Sequence, residues 1–167
     1  MKLSRRLLCT VLFLICIGSY AQESEAESFK QGFRLGLGLN GGVATGDFFN
    51  MALGADARLQ YDLTSDTSFT LTTGYTQLFG DDNIDDLGFI PAKVGFKAFL
   101  WDSHPFYVMG EVGAGFAVTN DYDMTSFIWA PSVGYAIGPY DISLKFEGMS
   151  DFDANQIALR LAYGFNL

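Results

Sequence analysis

Cysteine is nearly missing from this 167-residue chain: there are two, Cys9 and Cys16, both close to the N-terminus. The stretch that holds them, MKLSRRLLCTVLFLICIGSYAQ, has the three parts of a secretory signal peptide. Lys2, Arg5 and Arg6 give a positive start, Leu7 to Ile17 an apolar run, and Ser19-Tyr20-Ala21 a small-x-small cleavage site. The run falls short of the roughly 20 residues that a helix needs to span a bilayer. Ile15, before Cys16, stands where a lipoprotein signal needs a small residue. Residues 1–21 are therefore expected to be removed, leaving a chain without cysteine. Such a chain forms no disulfide, binds no zinc through thiolates and has no thiol nucleophile.

Cations are scarce too. Loss of Lys2, Arg5 and Arg6 with the signal would take the net charge from -9 to -12. That excludes nucleic acid as a partner, since its binding depends on clustered Lys and Arg. There is one histidine, His104. Beyond the signal there is no long apolar run, although 49% of residues are hydrophobic. There is no Pro/Ser-rich linker, so the remainder reads as one domain. Residues 22–32, with Glu23, Glu25 and Glu27, read as a short flexible acidic segment, and 33–167 as the folded part.

What the chain has is alternation. Phe33, Leu35, Leu37, Leu39 and Val43 are interleaved with Arg34, Gly36, Gly38, Asn40 and Gly42. Neighbouring side chains of a strand point to opposite faces, so one face here is apolar and the other small or polar. Gly36 to Gly41, GLGLNG, also matches G-x-G-x-x-G, with Asp56 and Asp62 downstream as candidate ribose ligands. A dinucleotide loop needs a buried strand before it and a helix opening at its third glycine. Here the period of two runs through the glycines and no helical period follows, which excludes that reading.

The same pattern recurs seven more times, centred on residues 53–63, 69–76, 90–100, 106–118, 127–137, 142–146 and 157–167. Eight strands, mostly near the 9–11 residues of a tilted membrane crossing, predict an all-β, transmembrane, eight-stranded antiparallel up-and-down barrel. The gaps around 45–51, 80–88, 119–126 and 148–155 read as longer loops, and those around 64–68, 101–105 and 138–140 as short turns. That asymmetry would put both termini on the periplasmic side. Pro91 and Pro131 fall within strand patterns and are expected at the outer rim, where a bulge or frayed pairing tolerates them.

A soluble barrel alternates as well, with its apolar side inward. Three features favour the reverse. Most strand glycines share the polar face, as suits a narrow interior. So do Arg34, Asp56, Arg58, Lys93, Lys97, Glu111, Lys145, Glu147 and Arg160, which can pair inside a lumen. Aromatics gather in two bands, among them Phe33, Tyr61, Phe106, Tyr135 and Tyr163 at one end and Phe116, Phe127, Trp129 and Phe146 at the other.

The run IPAKVGFKAFLWDSHPFYVMGEVGAGFAV, Ile90 to Val118, resembles the central hairpin of the small outer-membrane β-barrels of the OmpA/OmpX-like group. The ending RLAYGFNL resembles the C-terminal strand signal read by the barrel assembly machinery, with Tyr163, Phe165 and Leu167 alternating; Leu167 stands where Phe is commonest. The resemblance implies a monomer in the outer membrane of a Gram-negative bacterium, in contact with lipid and lipopolysaccharide. It does not imply one activity, because the fold hosts several.

Little in the sequence suggests catalysis, and no cofactor is expected. Asp102, Ser103 and His104 are consecutive, whereas a catalytic triad is assembled from separate places in a fold. Asp81, Asp82, Asp85 and Asp86 crowd one loop without EF-hand spacing; their simple reading is a solvated acidic rim, with loose Ca²⁺ or Mg²⁺ binding the sharper alternative. The expected role is non-enzymatic: envelope structure or surface interaction. A small channel and a soluble, exported, lipocalin-like ligand-binding barrel are the alternatives.

Overall fold

The computed structural model describes residues 31–45, 48–80, 85–100, 105–119, 124–152 and 154–167. They form eight strands: β1 (Phe33–Thr45), β2 (Phe49–Asp62), β3 (Thr67–Gly80), β4 (Leu87–Phe99), β5 (Phe106–Ala117), β6 (Thr125–Ile137), β7 (Tyr140–Met149) and β8 (Ala154–Asn166). Each pairs antiparallel with the next, and β8 returns to β1, so the sheet closes on itself. Closure leaves no strand edge, so backbone N–H and C=O groups find partners within the wall.

Register makes the alternation coherent around the ring. Leu35 lies between Leu59 and Phe165, and Gly38 between Asp56 and Ala162. Apolar residues such as Leu35 therefore meet apolar neighbours on the outer face, and polar residues such as Gln60, between Arg34 and Thr70, meet polar neighbours on the inner one. The outward set includes Leu39 at 69% exposure and Val94 at 58%, while the inward set includes Lys93 and Arg160 at 2% each. A protein folded for water places these groups the other way round. Tilted and edge-to-face ring pairs, Phe33–Tyr61, Phe106–Tyr135 and Tyr140–Tyr163, belt the rim where β1 begins and β8 ends. That rim, with connectors 63–66, 100–105 and 138–139, is called the lower rim below; the opposite rim carries 46–48, 81–86, 118–124 and 150–153.

The connectors differ from expectation. The supposed long loop at 45–51 is only 46–48, shorter than the lower turn 63–66, and 100–105 equals 81–86 in length. Strands absorb the difference: Ala44 and Thr45 still pair with Gln156 and Asn155. Polar and small residues that read as loop are held in the ladder because closure supplies a partner on both sides. Loop length therefore does not orient this barrel. The tightest turn joins β6 to β7, where Gly138 adopts φ of +55°, a conformation costly for residues with a Cβ.

The prolines also differ in place. Pro131 is the seventh of thirteen residues in β6, at mid-barrel rather than at a rim. It pairs with Gly110 of β5, but β6–β7 pairing skips from Trp129–Gly148 to Ser132–Lys145. Pro91 likewise pairs with Gly115, while β3–β4 pairing skips from Thr73–Ala92 to Thr76–Phe89. The register is the same on both sides of each gap. The missing N–H is thus accommodated by local loss of pairing, without a bulge. Among the described residues a register shift lies elsewhere, at Phe49/Met51 in β2.

Candidate functional site: a lumen filled in three layers

The inward positions of the eight strands form one continuous interior, and its composition changes with height. Near the upper rim it is apolar. Phe49, Leu78, Leu87, Phe89, Ile128 and Phe152 are all buried there and pack with Ala52, Met149 and Ala154. Phe89 and Phe152 meet with ring centroids 5.5 Å apart. This plug departs from the expected interior of glycine and charge. Its signal in the sequence was the inward parity at the upper strand ends, where Ala52, Leu78, Phe89 and Ile128 replace polar residues.

The middle layer is ionic. Glu147 of β7 is fully buried and takes Lys93 and Lys145 on one oxygen, the latter at 3.3 Å, and the Gln156 amide at 2.8 Å on the other. Glu111 of β5 accepts from Thr72 at 2.6 Å and from Arg58 at 3.4 Å, with Lys93 at 3.8 Å. Arg58 also donates to Thr72 at 3.1 Å. Six strands, β2 to β5 with β7 and β8, are thereby tied through two carboxylates. Buried charges survive only when paired and hydrogen-bonded, since the effective penalty for an unpaired one is several kcal/mol.

The lower layer is built around Asp56 and Asp141. Arg160 of β8 grips Asp56 of β2 with Nη2 at 2.6 Å and Nε at 2.9 and 3.0 Å, and Asn40 donates to the same carboxylate at 2.7 Å. This forked contact spans the closing seam, across β1. Asp141 accepts Lys97 at 3.0 Å and the Tyr107 hydroxyl at 2.8 Å, with Arg160 Nη1 at 3.5 Å. The Lys97 ammonium also lies 3.8 Å from the Tyr107 ring centroid, a cation–π contact. Below this layer a cavity of about 390 Å³ lies inside the lower rim, lined by Arg34, Arg58, Lys97, Asp141 and Arg160 among others.

All nine lumen charges inferred from the sequence sit on the inner face, and eight are largely enclosed. Arg34 is the exception: its side chain is 53% exposed at the lower rim, where it pairs with Asp62 at 3.2 Å. Sequence reasoning missed Asp141, because the strand pattern was read from Ile142; its parity with Ser143 and Lys145 would have found it. Asp62, on the polar face of the second strand pattern but left out of the charge network, belongs to this interior, held by Gln60 at 2.6 Å and Ser68 at 2.7 Å. The GLGLNG stretch lies wholly within β1, and Asp56 is committed to Arg160.

Of the acidic loop, Asp81 and Asp82 lie outside the described residues, as do Asp102, Ser103 and His104. Asp85 is exposed, and Asp86 accepts from the Gly80 backbone N–H at 3.0 Å, closing the base of its connector. Among the described residues no group of three or more His, Cys, Asp or Glu is placed to hold a metal ion. Tyr163 and Phe165 face outward on the last strand, and Leu167 donates its backbone N–H to Phe33 at 3.0 Å, completing the seam.

An apolar exterior around a charged and plugged centre defines the class: an eight-stranded antiparallel transmembrane β-barrel. Comparison with solved structures finds the same fold. Ail, the attachment invasion locus protein of Yersinia pestis, in complex with the heparin analogue sucrose octasulfate, matches with TM-score 0.57 and 14% identity, over 82% of this chain and 100% of that one. The N-terminal β-barrel domain of Pseudomonas aeruginosa OprF matches with TM-score 0.52 and 14% identity, over 81% and 100%. A de novo designed transmembrane β-barrel matches with TM-score 0.53 and 14% identity, over 82% and 98%. No protein-family model matches the sequence, and comparison with the curated proteins gives no match.

Proposed function

We propose that this chain is an integral outer-membrane barrel with a non-enzymatic role, structural or in surface interaction, and that its lumen does not conduct. The observation that carries this is the combination of an oily exterior with an interior closed twice, by the apolar plug and by the Glu147–Lys93–Lys145 layer. A route for ions would have to cross buried aromatic rings and then break pairs that are costly to separate. The signal-like N-terminus and the fold shared with Ail and OprF support export to the outer membrane.

Ail binds a polysulfated ligand in one of its structures. The upper connectors of this chain carry one sign of charge only. The upper connectors contain Asp47, Asp81, Asp82, Asp85, Asp86, Asp121, Asp123, Asp151 and Asp153 and no Lys, Arg or His. A polyanion would be repelled from it, so a surface partner of this barrel is cationic or is joined through divalent ions.

Two measurements on the purified chain test the reading. Folded protein should migrate differently on SDS gels before and after boiling, and should give no discrete steps in planar-bilayer recordings. Migration unchanged by boiling would favour the soluble-barrel alternative. Discrete conductance from heat-modifiable protein would favour the channel.

A further inference from the structure

Gly110 stands on the outer face of β5, apart from the glycines of the lumen. It is exposed, and a Cβ placed on it would find no atom within 4 Å. Its missing side chain relieves no clash; it leaves a hollow in the wall. Register surrounds that hollow. Gly110 pairs with Phe96 of β4 on one side and with Pro131 of β6 on the other. The β6–β7 ladder, with Trp129–Gly148 and Ser132–Lys145 on either side of its gap, sets Phe146 opposite Pro131. Two low residues thus lie between two phenyl rings in one row across the wall. The result is an outward groove of about 720 Å³, lined by Phe96, Val108, Gly110, Pro131, Val133 and Phe146 among others. Every outward side chain that lines it is apolar, and Pro131 has no N–H to present. Phe96 and Phe146 stand three strand spacings apart, about 14 Å before the bulk of the rings is taken off, which leaves a channel one acyl chain wide. Downward, the groove runs past the Val108–Val133 pair toward Phe106 and Tyr135 of the lower rim. Upward it meets Trp129, packed on Phe146 with ring centroids 5.1 Å apart.

We infer that this groove holds one acyl chain of a phospholipid, with its headgroup at the lower rim, as a fixed partner distinct from the fluid lipid around the barrel. The groove is continuous with the face that meets hydrocarbon, so lipid tails are what surrounds it. Tails gain nothing from leaving one apolar medium for another, so shape decides what stays. The ladder holds β4 to β7 apart, and the hollow over Gly110 does not collapse. Left empty, its lining would lose contact atoms on one side. A chain on the flat wall touches protein on one side only, whereas a chain in the groove touches it on three. The lower end opens at an aromatic belt of the kind that marks the headgroup level, while the upper end is closed by the Trp129–Phe146 pair. The lipid is therefore recognised by its tail, from the lower leaflet. The inference rests on the outer face meeting hydrocarbon and is independent of the non-conducting role proposed above.

The test reads Trp129 fluorescence in the folded full-length chain in detergent micelles, with Trp101→Phe removing the other indole. The probe is phosphatidylcholine brominated along its acyl chains, whose bromines quench an indole on contact. Quenching should saturate while brominated lipid is still a minor part of each micelle, and unbrominated phosphatidylcholine should reverse it. Gly110→Leu fills the floor of the groove, and quenching should then rise only in proportion to the brominated lipid added. Should Gly110→Leu fail to fold, judged by loss of heat-modifiable migration, Val133→Phe narrows the same groove from an exposed position. Leu39→Phe, on β1 and away from the groove, should leave the saturation unchanged. Proportional quenching in the parent chain, or saturation that survives Gly110→Leu and Val133→Phe, would overturn the inference. Trp129 shielded in the parent and quenched only after Gly110→Leu would overturn it as well, by showing a second copy of the chain in the groove. No quenching of Trp129 in any variant would overturn both the inference and the oily outer face on which it rests.

Discussion

Gly38 and Arg160 compete for one space. A Cβ built on Gly38 would stand 2.8 Å from both Cζ and Nε of Arg160, closer than real Cβ atoms approach other atoms. The guanidinium lies over the bare backbone of β1 in order to reach Asp56 on β2. Gly38 of GLGLNG thus has a steric cause here: Arg160 crosses the closing strand at an inner position where no side chain stands in its way. Gly38→Val should displace that side chain and unfold the barrel at lower urea, with a loss of about 1–3 kcal/mol from overpacking and more if the Asp56 contact breaks. Gly36→Ala is the control. Its Cβ would meet Arg160 and the Arg58 carbonyl at 3.7 Å, an ordinary contact, and its unfolding midpoint should stay near that of the parent.

Glu147 holds two ammonium groups and one amide in a fully buried position. Glu147→Gln keeps the shape and leaves Lys93 and Lys145 against weaker partners. Removing one member of a buried charge pair costs about 3–5 kcal/mol, and the loss should appear as a lower urea midpoint. Adding Lys145→Met to Glu147→Gln should recover part of it, because one unpaired charge then disappears. A double variant weaker than the sum of both singles would contradict the pairing described.

The upper plug makes a separate prediction. Phe89 is fully buried and packs its ring, tilted, against Phe152, so Phe89→Ala should cost about 3–5 kcal/mol and leave the ionic layer intact. Conductance should still be absent, since the Glu147 layer closes the lumen below. Discrete steps from Phe89→Ala would show that the plug alone seals the barrel.

Pro131 interrupts the β6–β7 ladder at mid-barrel without a register shift. Pro131→Val restores the missing donor and suits the exposed apolar face. A typical net gain for one restored hydrogen bond is about 1 kcal/mol, and amides around Phe146 should exchange with deuterium more slowly. Faster exchange there would mean that the gap has a cause other than the proline.

The sequence made the period of two legible, and with it eight strands, closure, and which face is oily. That signal is strong because the two faces meet different media, so each inward or outward position is under the same physical demand. The nine charges were readable for the same reason: Arg58, Lys93, Glu111 and Arg160 share one parity with the glycines. What was not readable depends on height rather than face. Leu78, Phe89 and Ile128 turn the upper lumen apolar while Thr72, Lys93 and Gln156 keep the middle polar, and that change shows only when inward parity is followed along the height of each strand. Nor did composition show that Thr45 and Phe49 belong to strands, since their pairing is supplied by neighbours far away in sequence. Asp141 was lost at a strand boundary, where a turn with Gly138 and Pro139 masks the first residues of β7.

The central claim is that the apolar face meets hydrocarbon and the charged face is enclosed. Nuclear Overhauser transfer to side-chain methyls tests it without any substitution, using methyl-labelled protein in lipid nanodiscs. Val94, Val133 and Ile157 should show strong transfer from lipid acyl methylenes, while Leu78 and Ile128 show none. Acyl transfer to Leu78 and Ile128, with water transfer to Val94 and Val133, would contradict the account.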